Sequence, residues 1–163
     1  MEIGPATPTT VPVGRNKRRA TLRNRLGAVR SAVIVVASIA LAGVFAVSGA
    51  AKARDLSATT TAAVSLGVPA SFARLVARML PVAELALAGA LLVGLRVPAL
   101  RQIAATGSLL LLGMFTVAMV RTIRRGEAPL CRCFGALDER PISTETIIRN
   151  VALGALAAVC AIG

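Results

Sequence analysis

A chain of 163 residues that is 56% hydrophobic and only 2% aromatic, with a mean hydropathy of +0.76, is too apolar for a soluble domain of this length. Its formal charge of +12 raises nucleic acid as a partner, but there is no Trp or Tyr to stack on bases and no recognition motif, so nucleic acid is set aside. What remains is a protein whose solvent is membrane lipid.

Residues 1–30 are polar, contain three prolines, and concentrate Arg15, Lys17, Arg18, Arg19, Arg23, Arg25 and Arg30 ahead of the first apolar block. The composition predicts a disordered basic tail on anionic lipid. Residues 31–51, "SAVIVVASIALAGVFAVSGAA", carry no charge and match the roughly 20 residues a bilayer core requires. A removable signal peptide over residues 1–53 is the rival reading, since "KRRATLR" loosely resembles a twin-arginine signal and Ala51-Lys52-Ala53 a cleavage site. The apolar stretch exceeds the roughly 7–15 residues usual for a signal, which favours a span.

A second span is predicted at 75–95, interrupted by Arg78, Pro81 and Glu84, with a bend at the proline. A third covers 99–120 and is charged only at Arg101. The fourth, 144–163, is long enough only with Arg149 and Asn150 inside its outer part. The expected fold is therefore all-α: a four-helix integral membrane bundle over residues 31–163, with a C-x-C loop between the third and fourth spans. Small residues at four-residue spacing, Ala42, Ala46 and Ala50 on the first span and Gly154 with Ala158 on the fourth, fit close helix packing.

Seven basic residues before the first span should hold the N-terminus in the cytoplasm, and four spans return the C-terminus to the same side of the cell membrane. The segment 121–149 carries six Arg, which opposes this orientation; the first helix usually dominates, which favours it.

A charge at the centre of the bilayer costs roughly 2.5–3.5 kcal/mol even on lenient scales, so it needs a partner. Counted from Leu75, Glu84 lies about 13 Å into its helix, and Arg149 about 8 Å into its own. Glu84 is expected to face the bundle interior and to pair with Arg149 or with Lys52, and Asn150 joins them as the fourth member of an intramembrane polar network. Structural pairing and a direct role in chemistry both fit.

The chain has three cysteines and no histidine. Cys160, about 24 Å beyond Thr144, is expected to be a small buried hydrophobe. That leaves Cys131 and Cys133, one residue apart. A disulfide between them would close almost no loop and would be strained, so it adds little stability and is easily reduced. Arg132 between the thiols, with Arg124 and Arg125 upstream, favours thiolate. Pro129 and Gly135 shape the turn. Thiol–disulfide exchange is one reading. Copper(I) on two thiolates, zinc completed by Glu127, Asp138 or Glu139, and an inert or structural pair are the others. No motif requires a bound cofactor.

Several segments resemble the methylamine utilisation protein MauE family, whose bundle belongs to the DoxX-like group of four-helix membrane proteins. They are "GAAKARDL" (49–56), "LGVP" (66–69), "LPVAELALA" (80–88), "RRGEAPLCRCFGAL" (124–137) and "PISTETIIRNVAL" (141–153). The C-x-C-F-G element, Cys131 to Gly135 with Phe134, followed by Arg149-Asn150, is the specific part. The resemblance implies an integral membrane protein that supports maturation of the disulfide-rich small subunit of methylamine dehydrogenase, alongside a thioredoxin-like periplasmic partner. A complete quinone-linked oxidase relays electrons between two cysteine pairs, and this chain has one, so it is expected to act with a partner. A non-catalytic membrane scaffold that recruits a periplasmic enzyme is the alternative from another class.

Overall fold

Long apolar runs with few β-breaking turns leave the backbone one way to satisfy its own polar groups in lipid, the α-helix. The computed structural model of the chain describes residues 13–126 and 144–163, and among these it contains helices and no strand. In chain order these are α1 (Val13–Arg54), α2 (Leu56–Ser65), α3 (Ala70–Val93), α4 (Pro98–Arg124) and α5 (Thr144–Ile162). Four of them, all but α2, are long and apolar enough to cross a membrane. The C-x-C segment, with Cys131, Arg132, Cys133, Phe134 and Gly135, lies outside the described residues.

The described residues form two compact units that divide between Val33 and Ile34. In the first, the backbone is already helical from Val13, so residues 13–30 differ from the disordered tail that composition predicts. Arg, Lys, Ala and Leu are all good helix formers, which accounts for the difference. Leu22, Leu26 and Val29 recur at helical spacing there and are exposed among the basic side chains.

In the second unit, α1 turns one stripe inward: Ile34, Ala37, Ser38, Leu41, Phe45, Ser48 and Lys52 are buried at three- and four-residue spacing. The stripe packs with Ala88 and Leu91 of α3, Ala104, Ala105 and Leu112 of α4, and Ala157 and Cys160 of α5. Large apolar side chains such as Ile39, Val82, Leu110, Met114 and Val151 point outward. On a soluble protein they would be an aggregation liability; on a membrane bundle they are the lipid-facing surface.

Two features depart from the expected spans. α1 stops at Arg54, and a separate short helix, α2, follows it. Asp55 makes this break: its carboxylate accepts from the Ala58 amide at 2.8 Å, capping α2. Gly67, at φ +94°, then turns the chain into α3 in a conformation that favours glycine. The second departure is that α3 begins at Ala70 rather than 75; Pro81 lies inside this one helix. Its 24 residues are about 36 Å long, against a hydrocarbon core of about 30 Å.

Close approach of α1 to α3 depends on Gly49. A β-carbon there would meet Leu85 Cγ at 3.0 Å, the Pro81 carbonyl oxygen at 3.1 Å and Glu84 Cβ at 3.2 Å. A larger residue would push the two helices apart just where they share their buried charges.

Candidate functional site

The polar centre is built by three helices. Ser48 and Lys52 lie four apart on the buried stripe of α1, so both side chains face α3. Lys52 Nζ donates to Glu84 Oε1 of α3 at 2.6 Å and to Ser48 Oγ at 2.5 Å. It also sits 5.6 Å from the centroid of the Phe115 ring on α4, within cation–π range. Lys52 is 4% exposed and Glu84 2%, so this ion pair is withdrawn from solvent on both sides. Thr59 of α2 donates to the Lys52 carbonyl at 3.3 Å, which ties the end of α1 to the next helix.

Of the two partners the sequence offers Glu84, the structure gives it Lys52. The depth differs from the sequence estimate as well. With α3 starting at Ala70, Glu84 lies about 21 Å along the helix rather than the 13 Å or so counted from Leu75. Arg149 is exposed on α5.

Asn150 is half-buried and serves a neighbouring contact, between α5 and α4. Its Nδ2 donates to the Leu112 carbonyl at 2.8 Å and to Thr116 Oγ1 at 2.6 Å. Such bonds between helices take the place of the hydrophobic drive that lipid removes. Thr116 follows Phe115 in the chain, so α4 presents one residue to Lys52 and the next to Asn150. The four residues of the expected network therefore separate: Lys52 and Glu84 meet, Asn150 bonds one residue away along α4, and Arg149 faces outward.

Sequence reasoning missed Ser48, Phe115 and Thr116. For Ser48 the signal was present, a hydroxyl four residues before a buried Lys. Phe115 and Thr116 carry no local mark, because their role depends on which helix lies alongside.

Glu84 Oε2 is buried and has no hydrogen-bond partner among the described residues. The carboxylate thus holds Lys52 with one oxygen and keeps the other open to a donor. A buried, half-satisfied carboxylate is costly to keep unless its partner is fixed. Here the partner is fixed, by Ser48 at its side and Phe115 across from it.

Cys160 occupies the opposite end of the bundle and is fully buried. Its sulfur lies 3.4 Å from Ser38 Oγ, and its carbonyl accepts from Arg101 Nε at 3.3 Å. Arg101, the one charge of the third predicted span, thereby meets the negative end of α5. It stabilises a helix terminus that would otherwise leave carbonyls unpaired.

The ends of α4 and α5 that flank residues 127–143 lie at the same end of the bundle as α2. Met119 near the end of α4 packs with Leu66, just past α2, and with Ile147 in the first turn of α5.

A family model described as methylamine utilisation protein MauE matches residues 30–163. No curated protein and no solved structure matches the chain.

Proposed function

The chain belongs to the methylamine utilisation protein MauE family, and from that premise we propose that it matures an extracytoplasmic partner by thiol–disulfide exchange at Cys131 and Cys133. Membership itself implies an accessory membrane protein of methylamine utilisation. The observation that carries the finer reading is the division of the thiols. Cys160 is sealed inside the bundle, while the other two stand one residue apart around Arg132, in the segment that joins α4 to α5.

In the exchange, the thiolate of one cysteine attacks a partner's disulfide. That S–S bond breaks, a mixed disulfide forms, and one partner sulfur leaves as thiolate. The second cysteine then attacks the mixed disulfide, closing the Cys131–Cys133 bond and releasing the partner's other sulfur. Two electrons have passed to the partner. Run in reverse, the oxidised pair accepts attack from a partner dithiol and leaves it joined by a disulfide, which is the direction maturation of a disulfide-rich subunit needs.

Arg132, Phe134 and Gly135 shape and charge the pair, Arg132 by favouring thiolate. The basic residues before the first span, and an even number of spans, support a cytoplasmic N-terminus with the cysteine pair on the opposite face. A thioredoxin-like periplasmic protein is a partner of the right chemistry. In this reading Lys52 and Glu84 hold α1 against α3 and take no electrons.

Trapping tests the proposal. In Cys133→Ser cells a mixed disulfide should accumulate through Cys131, or in Cys131→Ser cells through Cys133, seen as a higher band on non-reducing gels that dithiothreitol removes. If neither variant traps a partner and the double Ser variant supports full maturation, the chain is a scaffold with incidental thiols. Stoichiometric copper or zinc lost in the double variant would make it a metal carrier instead.

A further inference from the structure

A groove of about 360 Å³ opens between α2 and α3, lined by Leu56, Ser57, Thr60, Thr61, Arg74 and Arg78. The two arginines are four residues apart, so they share one face of α3 and repel each other. Among the described residues no carboxylate lines the groove with them. Glu84 is bound to Lys52, and Asp55 is engaged as the cap of α2. Among the described residues neither guanidinium has an ion-pair or hydrogen-bond partner.

Arg78 lies about 12 Å along α3 from its start, on a helix long enough to project only a few ångströms beyond a hydrocarbon core. A cation at that level needs an anion, and the described residues do not provide one. Phe72, Leu75 and Met79, interleaved with the two arginines on α3, are exposed and apolar, the surface that acyl chains would cover. The hydroxyls of Thr60 and Thr61 donate to the Leu56 and Ser57 carbonyls, which leaves their oxygens as acceptors. The groove therefore presents two planar cationic forks beside acceptors for hydroxyl groups.

We propose that this groove binds the phosphate of an anionic phospholipid, with Arg74 and Arg78 clasping the phosphate oxygens and the α2 hydroxyls receiving headgroup hydroxyls. Guanidinium suits the role because its fork matches phosphate oxygens in pairs. Free phosphate shares the chemistry of the headgroup but not the acyl chains.

The test uses the full chain, purified in detergent and titrated with phosphatidylglycerol, phosphatidylcholine or inorganic phosphate, with native mass spectrometry and thermal unfolding as readouts. Phosphatidylglycerol should remain bound to the wild type and raise its unfolding temperature more than phosphatidylcholine does. R74Q/R78Q should weaken its binding by roughly tenfold or more. R74K/R78K, which keeps the charge and loses the fork, should fall between the two and serves as the comparison if the Gln variant does not fold. The double Ser variant of Cys131 and Cys133 should bind lipid like the wild type. Equal retention of phosphatidylglycerol by R74Q/R78Q, or equal binding of the two lipids, overturns the proposal. So does displacement of the lipid by millimolar inorganic phosphate, which would assign the groove to a soluble phosphate.

Discussion

The two halves of the bundle are held together by different physics. Around Leu41, Leu91, Ala105 and Ala157 the helices meet through small or closely fitted apolar side chains that are fully buried. In lipid such contacts gain little from burial itself, since the tails outside are equally apolar, and they hold by shape. Around Lys52, Glu84, Ser48 and Asn150 the helices meet through groups that have few other places to go. The apolar half tolerates change in proportion to volume; the polar half responds to the loss of a partner.

That contrast is open to direct test, and the largest effect is expected at Glu84. Glu84→Ala leaves Lys52 buried without its carboxylate and should cost about 3–5 kcal/mol in detergent unfolding. The double change Lys52→Met with Glu84→Met should recover most of that loss, because well-packed apolar groups replace a buried pair at little net cost. A double variant no better than Glu84→Ala would show that the pair does more than satisfy itself. Next in size, Gly49→Val forces a branched side chain against Pro81, Glu84 and Leu85 and should cost about 1–3 kcal/mol. If its unfolding midpoint matches the wild type, α1 and α3 do not depend on close approach there. Smallest is Ser38→Ala in the apolar half, which removes the Ser38–Cys160 contact and should cost about 0.6 kcal/mol, the usual worth of an interhelical hydrogen bond in a membrane. A loss as large as that at Glu84 would erase the distinction between the halves.

The membrane spans were legible because a run of about 20 apolar residues has few other uses. α3 starts at Ala70 rather than at Leu75, where the sequence places it because Arg74 and Arg78 interrupt the apolar signal, so Glu84 lies five residues, about 7.5 Å, further along its helix than that count gives. α2 was hidden for another reason. "LSATTTAAVS" has three consecutive Thr and no strong apolar period, and its helix rests on the Asp55 cap and on packing against α3. The charges that matter were visible as charges, yet the choice between Lys52 and Arg149 turned on which helix lies beside α3. Local spacing holds no such information. The cysteine pair is the reverse case: "CRCFG" marks it as a candidate site by its spacing, while its geometry lies outside the described residues.

The burial of Cys160 behind Ser38 and α1 has a practical consequence for counting thiols. In a reduced, folded molecule Cys160 should resist a bulky alkylating reagent, and should take up an equivalent only once α5 has come away from its neighbours. The protein thus carries its own gauge of intactness: mass spectrometry after alkylation reports at Cys160 whether a variant's last helix still packs in place.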